Sequence, residues 1–231
     1  MTAAGHHRPS AVLWDLDGTL IDTEPLWKAG EYALVAEHGG TWSEEHANAI
    51  IGNDLLTAAE YIRVHGGVAL APIDIVERLV ALVTNGIGDD PPWRPGALAL
   101  LAELGEKGIP CALVTMSWRP IVDRVAAVLP GTPFGALVAG DEVANGKPHP
   151  DPYLAAAAAL GVDAENCVAI EDSPTGVASA HAAGCAVLAV PNMVELHTGD
   201  GVTVRATLDG VDVDVLCDVL AAAGRQVALH E

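Results

Sequence analysis

The stretch SAVLWDLDGTL, residues 10–20, decides how this chain folds and where its chemistry lies. Residues 10–14 form an apolar run that is typical of a buried strand. Asp15 and Asp17 follow one residue apart, and because side chains alternate along a strand, both carboxylates start on the same side. Gly18 can adopt a positive φ and turn the chain away, which leaves both carboxylates open to a ligand. A nucleophile and an acid or base beside one reactive centre indicate phosphoryl transfer, although Asp and Gly are also common where a strand merely enters a turn.

Beyond this stretch, short apolar runs alternate with helical patterns. The further predicted strands lie at 111–115, 136–139, 167–171 and 186–190, and the predicted helices at 96–107, 119–129, 150–160 and 174–183. Runs of this length are expected of strands that are buried on both faces of a parallel sheet. The alternation predicts a doubly wound, Rossmann-like α/β fold.

The pattern changes between Asp22 and Asp90. Here the sequence predicts amphipathic helices at 24–38, 43–51, 55–65 and 73–85, with no convincing strand. We therefore expect an inserted α-helical cap domain over residues 22–90 and a Rossmann-like core over 1–21 and 91–231. Because the insertion leaves the chain just after the paired aspartates, it is placed to act as a lid with hinges at its flanks.

Two later segments predict a phosphate site. Thr115, Met116 and Ser117 follow a predicted strand, where a hydroxyl and free backbone amides at a helix start can bind phosphate. Simple helix capping is the alternative for this segment. Lys147 stands between a glycine and Pro148 just before a helix. A solvated lysine in a loop is the alternative, but the constrained loop and the small number of basic residues favour a role for its charge in the site.

An acidic pair, Glu171 and Asp172, ends another predicted strand. Carboxylates are preferred ligands of Mg²⁺, whereas helix capping is again the alternative. In doubly wound sheets ligands bind at the carboxyl ends of the strands, and all four groups of polar residues occupy such positions. One shared site explains this repetition better than four independent coincidences.

With these residues assembled, the chain resembles the haloacid dehalogenase superfamily, specifically its Mg²⁺-dependent phosphatases and mutases with a helical cap. The resemblance extends from about Ser10 to the C-terminal region. It rests on four motifs in order, namely DLDGT at 15–19, Thr115 after the second core strand, Lys147, and the Glu171–Asp172 pair.

The resemblance implies a role for each matching residue. Asp15 would attack phosphorus to form an aspartyl phosphate, and Asp17 would protonate the leaving alcohol and then activate the attacking water. Thr115, the Met116 amide and Lys147 would bind the transferring phosphoryl oxygens.

The resemblance also implies a metal site and a reaction. Mg²⁺ would be held by Asp15, the main-chain carbonyl of Asp17 and Asp172, with Glu171 binding directly or through water. The expected enzyme is a HAD-like hydrolase, a phosphoric monoester phosphatase. Its substrate would be a small phosphorylated metabolite, with sugar and polyol phosphates favoured.

Three other functions are compatible with parts of this sequence. A sugar phosphomutase of the β-phosphoglucomutase type shares the cap and all four motifs, but such mutases commonly have Val in place of Thr19 and His in place of Trp27. A phospho-Asp signalling domain is disfavoured by the motif order and by the long insertion. A non-catalytic binding relative is disfavoured because the whole catalytic set is retained.

Composition limits the partners. The 231 residues carry 31 acidic and 11 basic side chains, a formal net charge of −20, which repels nucleic acid and anionic membranes. No apolar run has the length of a membrane span and the N-terminus has no signal core, so we expect a cytoplasmic protein, and we take a monomer as the default. Candidates for reading the leaving group, on residue type alone, are Glu24, Trp27, Asn53, Asp54, Arg63 and Arg119.

Overall fold

The computed structural model describes residues 8–51 and 54–227. Within these residues the chain divides into two compact units. The core unit contains the described residues of Met1–Asp22, Trp93–Ser117 and Leu129–Glu231, and the helical unit contains those of Thr23–Pro92 and Trp118–Val128.

The core unit is built on a parallel sheet. Its strands in the described residues are β1 (Ala11–Trp14), β2 (Cys111–Val114), β3 (Phe134–Val138), β4 (Cys167–Glu171), β5 (Ala186–Ala189) and β6 (Val202–Val204). Their order across the sheet is β3-β2-β1-β4-β5-β6, and every neighbouring pair is parallel. This order is that of a doubly wound Rossmann-like sheet, so the predicted fold class is confirmed.

The helices of the described residues are α1 (Glu24–Glu37), α2 (Glu44–Ala49), α3 (Leu55–His65), α4 (Pro72–Gly86), α5 (Ala97–Glu106), α6 (Arg119–Val128), α7 (Asp151–Leu160), α8 (Pro174–Ala182) and α9 (Val213–Val227). All eight predicted helices are found, with ends that differ by at most two residues. Strand β6 and helix α9 had no counterpart in the sequence prediction. No helix in these ranges is both long and apolar enough to cross a membrane.

Small side chains allow the helices of the core unit to approach the sheet closely. Strand residues such as Ala11, Leu13 and Ala169 share one buried cluster with Ala156 of α7 and Ala180 of α8. Helix α7 packs against β1, β2 and β3, and α8 packs against β4 and β5. Close packing of this kind holds the strand ends in fixed positions, and those ends carry the predicted site.

The helical unit packs around α4. This helix lies against α1, α3 and α6, and it buries Ile75, Leu79 and Val83. Helix α6 is also tied to the segment after α4, because the guanidinium group of Arg124 donates to the Ile87 carbonyl at 2.9 Å. Apolar residues spaced three and four apart therefore bury one face of α4, as the sequence pattern predicts.

Candidate active site

The predicted nucleophile lies at the point where the strand order reverses. The chain runs outward from β1 to β2 and β3 and then returns to place β4 on the other side of β1. Asp15 follows β1, and its N–H donates to the carbonyl of Ile170 in β4 at 3.0 Å. Glu171 ends β4 and is fully buried. Doubly wound folds bind their ligands in the crevice at this switch point.

Lys147 joins two carboxylates from different strands. Its Nζ donates to Asp15 Oδ1 at 2.7 Å, to Glu171 Oε1 at 2.6 Å and to the Val114 carbonyl at 3.0 Å. The side chain of Lys147 is only 5% exposed and that of Asp15 only 8%. An ammonium group has three N–H donors, and each of them has a protein acceptor here. The lysine is therefore held by hydrogen bonds between the ends of β1 and β4.

Glu171 is held by four donors. Oε1 accepts from Lys147 and from the Tyr153 hydroxyl, the latter at 2.6 Å, and Oε2 accepts from the Asp172 N–H at 3.2 Å and the Ser173 hydroxyl at 3.3 Å. Gly176, in the first turn of α8, leaves room for this carboxylate, because a Cβ there would overlap it. Both oxygens of Glu171 are thus occupied by protein donors.

Asp17 is held by two hydroxyl groups. Thr115 Oγ1 and Ser117 Oγ each donate to Asp17 Oδ2 at 2.8 Å. The Ser117 N–H donates in turn to Thr115 Oγ1 at 2.9 Å, which orients the threonine hydroxyl. Two hydroxyls on one oxygen fix the direction of the Asp17 carboxylate.

Gly18 makes the turn that follows the two aspartates. Its φ is +83°, as the sequence predicts, and its N–H donates to the Ile21 carbonyl at 2.8 Å. A Cβ at this position would overlap the Asp172 carboxylate and would lie 3.1 Å from Asn192 Nδ2. Glycine is therefore required here both by conformation and by the close approach of Asp172.

Met116 supports the lysine loop with its side chain. The Lys147 N–H lies 3.3 Å from Met116 Sδ in a weak hydrogen bond, and a Cβ at Gly146 would overlap the Met116 methyl group. The predicted role of the Met116 amide in phosphate binding stays a prediction.

The acidic groups of the site fit a divalent cation. Asp15, Glu171 and Asp172 offer ligand oxygens that lie within 4.8 Å of one another. Asp15 Oδ2 is buried and has no hydrogen-bond partner among the described residues, so it is available to a metal ion. Carboxylate oxygens are the ligands that Mg²⁺ prefers.

The charges of these carboxylates also favour a bound cation. Burial, followed by repulsion from neighbouring carboxylates, raises the pKa of Asp15 to about 7 and that of Asp172 to about 9. Burial alone would lower the pKa of Lys147, but the Asp15 and Glu171 carboxylates raise it above its usual value. One lysine does not neutralise this group of carboxylates, and a bound cation would supply the missing positive charge.

Several residues suggested as readers of the leaving group have other partners. Asp54 caps α3 by accepting from Leu56 N and Thr57 N, Arg63 pairs with Glu60, and Arg119 pairs with Asp123. Asn53 lies outside the described residues. These contacts are local to the helical unit and indicate helix stabilisation.

The sequence prediction missed Tyr153 as a site residue. Its signal was a single aromatic residue with a polar end in the first turn of the alanine-rich helix α7, six positions after Lys147. The hydrogen bond from Ser117 to Asp17 was also not predicted, because the sequence pattern indicated only that Ser117 lies near the start of a helix.

The fold and the site together define a doubly wound α/β protein with a buried aspartate–lysine pair at the switch point of its sheet. The family model of haloacid dehalogenase-like hydrolases matches residues 9–184, and the chain belongs to this family. Hexitol phosphatase A of Escherichia coli (strain K12) is 35% identical over 216 residues, which cover 88% of this chain and 97% of that protein.

Solved structures agree with this assignment. A mutant of CbbY from Rhodobacter sphaeroides in complex with xylulose-(1,5)bisphosphate is 26% identical with a TM-score of 0.81, and the match covers 90% of this chain and 99% of that one. β-Phosphoglucomutase from Clostridium difficile, at 19% identity, a TM-score of 0.78 and coverage of 92% and 97%, shares the fold.

Proposed function

We propose that this protein is a Mg²⁺-dependent phosphatase that hydrolyses a small sugar or polyol phosphate through an aspartyl phosphate. The observation that carries the proposal is the buried contact of Lys147 with Asp15, which leaves the second oxygen of Asp15 without a hydrogen-bond partner among residues 8–51 and 54–227. The names of the relatives, hexitol phosphatase and a CbbY bound to a sugar bisphosphate, support the substrate class.

In the first step the Asp15 carboxylate attacks phosphorus, and the bond between phosphorus and the ester oxygen breaks. Asp17 gives its proton to the departing alcohol, so that a neutral alcohol leaves. In the second step Asp17 takes a proton from water, whose oxygen attacks phosphorus and releases Asp15 and inorganic phosphate. The two hydroxyls on Asp17 Oδ2 hold this carboxyl in one direction during the reaction.

Lys147 and the segment from Thr115 to Met116 would bind the phosphoryl oxygens. Because each N–H of Lys147 already has an acceptor, a phosphoryl oxygen must share or replace one of the three. The lysine therefore reduces the repulsion between Asp15 and the incoming phosphate from a position that the fold has already set.

The metal would be held by Asp15, the main-chain carbonyl of Asp17 and Asp172. When bound there, Mg²⁺ would offset the negative charge of the carboxylates and of the phosphoryl group. Both oxygens of Glu171 accept hydrogen bonds from protein donors. We therefore assign Glu171 the roles of holding Lys147 and of adding negative charge to the site, and we do not assign it as a direct ligand of the metal.

The inserted segment, residues 22–90, serves in this proposal as the cap domain that selects the leaving group. Its place in the chain, directly after the first motif, supports this role. The proposal also includes a monomer that acts on a small phosphorylated metabolite.

The test is phosphate release from a panel of monoesters, with Mg²⁺ and with a chelator. The panel contains hexitol, hexose, pentulose and glycolate phosphates and β-glucose 1-phosphate, and sugar isomers are followed in parallel. We expect Mg²⁺-dependent release that is fastest with a hexitol or sugar phosphate. Interconversion of isomers with little free phosphate would instead identify a mutase, as the fold shared with β-phosphoglucomutase allows.

A further inference from the structure

Tyr153 brings a hydroxyl group into a cluster of buried apolar residues. It lies in the first turn of α7 and is completely buried, and its ring packs among the alanine and valine side chains of the core unit. Its hydroxyl donates to Glu171 Oε1 at 2.6 Å. Packing alone needs only the ring, so the hydroxyl at this position calls for a separate explanation.

The same residue also contacts the lysine of the site. Lys147 Nζ lies 5.2 Å from the centroid of the Tyr153 ring, within the range of a cation–π interaction. Lys147 Nζ and the Tyr153 hydroxyl share one acceptor, Glu171 Oε1. The phenol therefore touches both members of the ion pair that connects β4 to the nucleophile.

We propose that Tyr153 is a positioning residue that sets the place of Lys147 beside Asp15 by fixing Glu171 Oε1. The inference rests on the proposed function, because it assigns Tyr153 a role in the orientation of the nucleophile. Tyr153 itself contacts neither the phosphoryl group nor Asp15 in this assignment. It acts through the glutamate and the lysine.

The physical reason is that Lys147 Nζ and the Tyr153 hydroxyl donate to the same oxygen, Glu171 Oε1. With the phenol present, Glu171 Oε1 is held by two donors, and the ammonium group can divide its bonds among Glu171, Asp15 and Val114. Without the phenol, Glu171 Oε1 has only the lysine as donor and can turn toward it. Lys147 then moves toward Glu171 and holds Asp15 less firmly, and small errors in the position of a nucleophile reduce the rate of the chemical step.

The experiment compares Tyr153→Phe with the wild-type protein. The variant keeps the ring and removes only the hydroxyl. We expect kcat to fall about 10-fold, while KM and the Mg²⁺ concentration for half-maximal rate change less than about 2-fold. The inhibition constant of inorganic phosphate, measured as a binding readout, should also stay within about 2-fold.

Two further variants separate positioning from packing. Tyr153→Leu removes the ring as well and measures the loss of Tm caused by packing alone. Ser179→Ala, on α8 in the core unit, removes a buried hydroxyl that donates to the His149 carbonyl; it is the matched control for loss of a buried hydroxyl and should keep kcat within about 2-fold. For the proposal to hold, Tyr153→Phe must lose much less Tm than Tyr153→Leu while it loses activity.

The outcomes are distinguishable. If the wild-type protein releases phosphate and Tyr153→Phe keeps its kcat within about 2-fold, the inference is overturned and the proposed function stands. If Tyr153→Phe is as unstable as Tyr153→Leu, the hydroxyl is structural and the inference is again overturned. If the wild-type protein turns over no phosphate ester with Mg²⁺, the proposed function fails and the inference fails with it.

Discussion

Two ion pairs, one in each unit, are arranged in opposite ways. In the core unit, Lys147 binds Asp15 across 132 positions of sequence and Glu171 across 24, and all three side chains are at most 8% exposed. In the helical unit, Arg63 binds Glu60 one turn away, and both are exposed. Exposed pairs at such spacing contribute little to stability, whereas buried charges are costly unless they are well paired. The difference teaches that the buried pair depends on the tertiary fold to bring its members together, whereas the exposed pair needs only one turn of helix.

One residue of the helical unit departs from its surroundings. Glu31 is buried in α1, and its Oε2 accepts from Trp42 Nε1 at 3.0 Å. Burial raises the pKa of Glu31 to about 7. Asp15 has a similarly raised pKa but accepts a hydrogen bond from the charged Lys147, whereas Glu31 accepts from the neutral indole of Trp42.

The largest effect is expected from Asp15→Asn in the core unit. The carboxamide cannot act as the nucleophile, so phosphate release should fall by at least about 10⁴-fold and no phosphoenzyme should form. Rapid-quench measurement of labelled phosphoenzyme, together with steady-state phosphate release, checks this. Asp163→Asn, an exposed aspartate of the same unit, is the control and should keep full activity. Near-normal turnover by Asp15→Asn would remove Asp15 as the nucleophile.

The second prediction concerns the uncompensated charge of the site. Asp15 and Asp172 hold their protons more tightly in the folded chain than in the unfolded one, because their folded pKa values, about 7 and about 9, exceed the usual 3.8. The contribution of these two groups to the stability of the metal-free protein is therefore fully present below pH 3.8. It is lost as the pH rises from there to about 7 for Asp15 and to about 9 for Asp172.

Thermal unfolding measured with a chelator should show this loss. We expect Tm to fall by roughly 5 °C or more between pH 5.5 and pH 8.5, and millimolar Mg²⁺ should restore much of it at the higher pH. Asp172→Ala should reduce the pH dependence, raise the Mg²⁺ concentration for half-maximal rate by about 10- to 100-fold and preserve the fold. A Tm that responds to neither pH nor Mg²⁺ would remove these carboxylates from the metal site.

The smallest effect is expected at Glu31 in the helical unit. Its raised pKa means that stability is lost as the pH rises from about 4.5 to about 7, since the folded state keeps the proton in that interval. Glu31→Gln keeps an acceptor for Trp42 and removes the charge. The variant should match the wild-type Tm at pH 5 and exceed it by about 3 °C at pH 8.5.

The Glu31→Gln measurement needs controls for other charges and for activity. The nearby charges of Glu24, Lys28 and Glu44 also act on Glu31, so the measurement is made at one ionic strength. Glu37→Gln, on the exposed face of the same helix, should give no gain in Tm at high pH. Turnover of Glu31→Gln should stay within about 2-fold of wild type, because this acid lies outside the proposed catalytic set. Equal Tm changes for both variants would contradict a special role of burial at Glu31.

Most of the fold could be predicted from local patterns. The first five strands and eight helices follow from apolar runs and from spacings of three and four residues. Strand β6 escaped because it has only three residues, all half-buried. Helix α9 could have been found, since Val213, Leu216 and Cys217 bury one face of it, but no element was assigned after residue 190.

By itself, the sequence determined which residue types stand at the strand ends and therefore the class of chemistry, because motif order and spacing are local properties of the chain. Only the tertiary structure decided the partners of those residues. These contacts join positions that are 18 to 132 residues apart in the sequence. They are the hydrogen bond from the Tyr153 hydroxyl to Glu171, those from two hydroxyls to Asp17, and those from Lys147 Nζ to its three acceptors. Such contacts depend on strand register and on the packing of α7 against the sheet, which no local pattern of residues encodes.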